Sequence, residues 1–500
     1  MKKLTSMLLA ALLVLSCLGG LTALAEEEPV TIRWAFSNYS AHENADTSSG
    51  VYALINEKYN VNIVPFTTNY LQNAEQFSML MASGDIPDVW YDWNWQTWYE
   101  QGLVRTLDMS VYQEYLPYVW EHVVLELDPE LTALKQRTVE DGTVIGFPSY
   151  GGTSTPFFRM YRQDWLDALG MEVPVTLEDF KAYVQAVAEN DPDGNGADDT
   201  YAFYLSVNNM GPGDVMGAFG LPTDFGYMLD AEGKVVYAPA SQQYKEFLRL
   251  MAEWYAAGYI APESATMDTD AARQFFASGK FGSWYTNAFN HDWTYENSAE
   301  YMLLANEADV EFTPGDAITG ANGEQGAYSF TYDSGWSLMF GLNTTDAVIE
   351  KVLTILNDLA TPEGYLLQWG EEGKDFEFVD GKVTTLLSGE DAYTIGQAVF
   401  PRYDGPEVLN YVAGNGAYYD LLVFSMDQPM SLSVIDGYTL SESEEMGYGA
   451  NLSSIQEEYY WNVIMGAKDL DESWDAYIAE LEADGLRELE AEAQRIYDGL

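Results

Sequence analysis

FRMYRQDWLDALGMEVPVTLEDFKAYVQAVAENDPDGNGADDTYAF, residues 158–203, holds the densest run of structural signals in the chain. RQDWLDALG (162–170) is a short helical pattern closed by Gly170, the residue that most easily takes the left-handed turn ending a helix. Thr176 and Asp179 are spaced as a capping box, and Leu177, Phe180, Val184 and Val187 form the apolar stripe of the helix behind it. That helix runs into AENDPDGNGADDT (188–200), where oxygen-bearing side chains crowd around Gly194 and Gly196. Asp191, Asp193 and Asn195 fall at positions 1, 3 and 5 of an EF-hand-like frame, with Gly196 at the sharp turn. The Ala197 carbonyl and Asp199 occupy the next two ligand positions, but Ala202 stands where a bidentate Glu would be. The residues alone leave two readings open, a calcium clasp or an Asp/Asn/Gly turn ending a helix. No second loop pairs with it, so neither reading makes a calcium switch.

Upstream, VTIRWAF (30–36), VNIVPFT (61–67) and DVWYDW (88–93) read as strands. The helical stretches VYALINEKY (51–59) and AEQFSMLMASG (74–84) separate them. Such alternation predicts a mostly parallel sheet with helices on both faces. TVIGFPSY (143–150) reads as a further strand. Downstream, 241–258, 345–370 and 473–500 are strongly helical, and Gly485 interrupts the last. No polar linker divides the chain into beads, so two domains require several crossings between them.

The 500 residues carry 79 Asp plus Glu against 22 Lys plus Arg, a formal net charge of −57. That field repels nucleic acid and anionic membrane surfaces and favours a neutral polar partner. The N-terminus pairs Lys2 and Lys3 with an apolar run from Leu8 to Leu18, followed by Ala23-Leu24-Ala25 and three glutamates. This is an export signal, residues 1–25. Cleavage after Ala25 is favoured over a lipid on Cys17, the only cysteine.

Catalytic signatures are missing. The histidines are His42, His122 and His291, none paired at helical spacing, and there is no H-E-x-x-H, G-x-S-x-G, P-loop or G-x-G-x-x-G. Carboxylate pairs are too numerous to carry information, so the chain is read as a non-enzyme. Aromatics say more. Trp90, Trp93, Trp95 and Trp98 gather at and beyond the third strand, where α/β sheets hold ligands. GSWYTN (282–287) and DSGW (333–336) place Trp284 and Trp336 similarly. Flat rings beside Asn, Asp and Gln suit sugars, whose C–H faces stack and whose hydroxyls hydrogen-bond.

MASGDIPDVW (81–90), the 158–203 block, TPEGYLLQWGEEGKDFEFVDGK (361–382) and WDAYIAELEADGLRELEAEAQRIYD (474–498) together resemble the extracellular solute-binding proteins of ABC importers. The likeness is to the carbohydrate-binding branch, bacterial solute-binding family 1. It implies an α/β fold of the periplasmic-binding-protein type II, with two lobes, a multi-crossing hinge, and a sugar or oligosaccharide held in the cleft for a permease. It also implies a structural calcium ion on Asp191, Asp193, Asn195, Ala197 and Asp199, as in alginate-binding members, although Thr200 replaces an acid of that pattern.

The expected partition is 26–150 plus 281–335 for lobe one and 151–280 plus 336–500 for lobe two, crossing near Tyr150, Gly282 and Gly335. Expected cleft residues are Tyr39, Trp93, Trp95, Tyr150, Arg159, Trp284, Asn287, Trp336 and Arg402. Arg159 also suits a hinge or surface role, and Arg402 a loop salt bridge. The chain is expected to act as a monomer. A secreted lectin or glycoside hydrolase is the rival reading.

Overall fold

The structure is a computed structural model describing residues 28–35, 50–66, 74–129, 131–150, 155–206, 211–293, 298–307, 309–330, 333–379, 381–387, 416–436, 438, 440, 443 and 446–499. It is built around two sheets with separate cores. In the first, strands β1 (Val30–Ala35), β2 (Val61–Phe66) and β3 (Val89–Asp92) run parallel, joined through helices Gly50–Tyr59 and Ala74–Ala82. Strand β4 (Phe147–Tyr150) and a later strand, Asp333–Phe340, complete the order β2-β1-β3-(333–340)-β4, with 333–340 antiparallel to both neighbours. The sheet is thus mixed rather than parallel throughout. Ile32, Ile63, Val89, Phe147 and Leu338 pack on one face with Val352, Leu353 and Leu356 of helix Asp346–Leu359. Trp90, Trp98, Phe77 and Met81 fill the other face.

In the second lobe, β5 (Thr155–Pro156) leads into β6 (Phe158–Arg162), which lies between the antiparallel strands β7 (Ser283–Thr286) and β8 (Phe312–Gly315). The capping box forms as the sequence predicts: Asp179 N donates to Thr176 Oγ1 and Thr176 N to Asp179 Oδ2. Gly170 closes the short helix Gln163–Leu169 with φ +65°. Phe180, Val184 and Val187 are buried with Phe247, Trp254, Tyr459 and Leu481 in the largest core.

Pairing and packing do not follow the expected partition of the chain. Ser283–Thr286 joins β6, and Trp284 packs with Phe276 and Phe281, so the described residues of 281–330 belong with the second lobe. The chain leaves the first sheet at Tyr150 and re-enters it at Asp333, which pair with each other. Helix Asp346–Leu359 then packs on the first sheet, and helix Gly416–Met426 lies back in the second lobe against β5. Gly282 is no crossing point: a Cβ there would lie 2.4 Å from Tyr183 Oη and 2.8 Å from Trp165 Cε3. A strand's partner is set by contacts far away in sequence, and GSWYTN reads alike for either sheet.

Beside the Tyr150–Asp333 pair, β5 and β9 (Ser329–Phe330) form a two-stranded antiparallel ribbon between the lobes. The ribbon therefore leaves the first sheet at the same edge as the carboxyl ends of β1 to β3. Thr132 Oγ1 and Tyr438 Oη share a 3.3 Å hydrogen bond between the lobes. Among the described residues no helix is long and apolar enough to cross a membrane.

Candidate functional site

At the carboxyl end of β3 the chain must turn, and Asp92 sets how. Its buried carboxylate accepts from Asn94 N at 3.1 Å and from Trp98 Nε1 at 2.8 Å. The tight turn pushes Trp93 outward, leaving it 52% exposed, and starts helix Trp95–Glu100. On the neighbouring strand Ser337 pairs with Asp92, which brings Trp336 beside the same turn. The Trp336 ring stacks on Tyr91 at 5.2 Å and meets Trp93 edge-to-face at 4.8 Å. Trp95 is half-buried, and the Arg137 guanidinium that donates to the Trp336 carbonyl lies 5.0 Å from its ring centroid. Three aromatic rings thus meet, with Trp95 joined to them through Arg137, at the sheet edge from which the ribbon departs.

Of the expected cleft residues, Trp93, Trp95 and Trp336 come together here. Three others serve the scaffold instead. Tyr150 is fully buried and its hydroxyl donates to Asp128 Oδ2 at 3.1 Å. Arg159 is 1% exposed, bound to Asp214 through Nε at 2.7 Å and to the Gly211 carbonyl at 2.8 Å, with Phe180, Phe203 and Tyr285 rings around it. A guanidinium so enclosed has to be met by fixed acceptors, and Asp214 is that partner. Trp284 is 5% exposed and stacks on Tyr204. Trp90 and Trp98 are core residues as well. Asn287 is half-buried just past β7, at the end nearest the ribbon, and its Oδ1 accepts from Asn290. Tyr39 and Arg402 lie outside the described residues. Sequence reasoning passed over Tyr91 and Arg137. The stack on Tyr91 depends on strand register, and no local signal marks Arg137.

The oxygen-rich loop sits elsewhere, in the second lobe behind helix Leu177–Glu189. Asp191 takes φ +48°, and its carboxylate accepts from Asn195 N and Gly196 N. Asn195 Nδ2 donates to Asp193 at 2.7 Å and to Asp199 at 3.1 Å, while Lys280 pairs with Asp199 at 2.8 Å. Burial raises the Asp193 pKa, and the nearby Asp191 and Asp199 charges add to it. The Lys280 hydrogen bond lowers that of Asp199. Thr200 points away, its Oγ1 donating to the Val187 carbonyl. Among the described residues no group of three or more His, Cys, Asp or Glu side chains converges on a metal position. The donor chemistry fits a hard cation, but the Asn195 amide nitrogen faces the carboxylates where its oxygen would have to turn.

The model of the bacterial extracellular solute-binding proteins matches residues 43–337. The chain belongs to this family. Lipoprotein LipO of Bacillus subtilis is 27% identical over 405 residues, 77% of this chain and 75% of that protein. The fructooligosaccharide ABC transporter substrate-binding protein FusA of Streptococcus pneumoniae is 28% identical over 240 residues, 44% of this chain and 43% of FusA. A FusA EF-hand mutant in complex with fructo-nystose has a similar fold, with TM-score 0.68 and 19% identity, covering 94% of this chain and 99% of that one. Alginate-binding protein AlgQ2 without calcium ion does too, with TM-score 0.65 and 18% identity, covering 94% and 98%. This solute-binding protein therefore has the two-lobe α/β fold of its family, and its ring cluster lies at the edge where the lobes connect.

Proposed function

We propose that this solute-binding protein captures a neutral sugar or oligosaccharide and delivers it to the permease of an ABC importer. The observation that carries the reading is the Tyr91–Trp93–Trp336 cluster with Trp95, presented beside the interlobe ribbon. Exposed indole faces stack on the C–H faces of pyranose or furanose rings. Asn287, at the ribbon-facing end of the second-lobe sheet, would meet hydroxyls from the other side. FusA supports the reading as a relative that is a fructooligosaccharide ABC transporter substrate-binding protein. Binding draws the lobes together only through contacts that the closed state adds.

Asp191, Asp193, Asn195, the Ala197 carbonyl and Asp199 would hold a structural calcium ion once the Asn195 amide turns. The mutual repulsion of their carboxylates and the EF-hand of FusA support this. The chain works as an exported monomer, cleaved after Ala25.

Calorimetry against kestose, maltotriose, xylotriose and trigalacturonate, with solution scattering, tests the function. One neutral sugar should bind, return unchanged and compact the protein. Released products would make it an enzyme, and binding without compaction a lectin.

A further inference from the structure

Arg137 ends the short helix Thr132–Gln136 and is 1% exposed. Among its contacts are bonds to two elements. Nη1 reaches the Ala133 carbonyl at 2.9 Å, on its own helix. Nε donates to Ser337 Oγ at 2.6 Å and Nη2 to the Trp336 carbonyl at 3.4 Å, both on the strand that carries the stacked indole. The guanidinium also lies 5.0 Å from the Trp95 ring centroid. One rigid, planar cation thus touches two of the three tryptophans of the cluster, and through Ser337 it holds the residue paired with Asp92, whose turn presents the third.

Fold stability alone is served as well by an apolar side chain of similar volume, because a buried guanidinium loses its hydration. What an apolar replacement lacks is direction: the planar fork fixes the backbone at Trp336 and Ser337 and the plane of Trp95 together. We infer that Arg137 is a positioning residue of the sugar site, setting the relative orientation of Trp336 and Trp95 without touching ligand. The inference rests on the ring cluster being that site.

Near-ultraviolet circular dichroism of the ligand-free protein, whose tryptophan bands report ring orientation, tests it first. Arg137→Gln, Arg137→Lys and Ser337→Ala should each alter those bands. The change should vanish in a Trp336→Phe, Trp95→Phe background, while far-ultraviolet spectra stay the same. Affinity for whichever of kestose, maltotriose, xylotriose and trigalacturonate the wild type binds should fall about tenfold in Arg137→Gln, as for loss of a charge-assisted bond. Arg137→Lys should restore part of it. Ser337→Ala keeps the test decisive if Arg137 variants fail to fold, since it deletes one acceptor only. Unchanged tryptophan bands in Ser337→Ala and Arg137→Lys, with only the melting temperature lowered, would reduce Arg137 to scaffold. If the wild type binds none of the four sugars, the functional reading fails, and the spectra still decide whether Arg137 orients the rings.

Discussion

Trp93→Ala separates a ligand-stacking ring from a core ring by arithmetic. A buried Trp covers about 150–250 Å², and Trp93 is 52% exposed. Roughly 100 Å² therefore remains for a ligand to cover, worth about 2.5 kcal/mol at about 25 cal/mol per Å². A sugar covers one face rather than the whole exposed surface, which brings the loss to about 1–2.5 kcal/mol, roughly fivefold to seventyfold in affinity. Stability should fall by only about 1–2.5 kcal/mol, from the covered half of the ring and its edge-to-face contact with Trp336. Trp284→Ala is the control. That ring is 5% exposed, and its removal should destabilise the fold by about 3–5 kcal/mol. Calorimetry with the bound sugar and thermal melting on both variants give the comparison. Wild-type affinity in Trp93→Ala, or a melting loss equal to that of Trp284→Ala, would refute the placement of the site.

Four further outcomes are expected. Chelator should lower the melting temperature and added calcium restore it, with sugar affinity below the melt unchanged; a melt indifferent to both returns the loop to a plain turn. Protons compete with the ion for Asp193, whose folded pKa is raised, so its share of loop stability without calcium is present at low pH and lost as pH rises through that value; the calcium-induced gain in melting temperature should accordingly shrink as pH falls through the same range. Tyr438→Phe removes the hydroxyl shared with Thr132, worth about 0.5–1.5 kcal/mol, and should enlarge the ligand-free radius of gyration in solution scattering; an unchanged radius would mean that the contact does not hold the lobes. Intact mass of secreted protein should give an N-terminus at Glu26, and a diacylated Cys17 would reverse that assignment.

Local signals were legible in the sequence. Thr176 and Asp179 form their capping box, Gly170 ends its helix, and β1 to β3 alternate with helices, because each of these is decided within a few residues. Partners were not legible. Whether Ser283–Thr286 joins the first or the second sheet depends on residues more than a hundred positions away. The tryptophans show the same limit: the first sheet is covered on both faces, so period-two alternation does not tell Trp90 in the core from Trp93 at the edge. In sequence Arg159 suits a cleft, a hinge or a surface place alike and nothing singles out Arg137; only the fold reveals that one is enclosed against Asp214 and the other lies against the Trp95 ring.

The ribbon of β5 and β9 governs time as well as shape. Two strands bonded to each other twist readily, but they stretch or splay only by losing their shared hydrogen bonds. Ser425 Oγ of the returning helix Gly416–Met426 donates to the Pro156 carbonyl, so the third passage of the chain is fastened to the first. Tyr285 Oη accepts from Tyr328 N, and Phe157 N donates to the Tyr328 carbonyl, which anchors the ribbon's second-lobe end. The hydrogen bonds of the ribbon thus resist splaying of the lobes more than torsion between them. If the proposed capture closes the lobes through that torsion, changes at Pro156 or Ser425 should alter residence time while the ring contacts, and any discrimination between sugars, stay as they are.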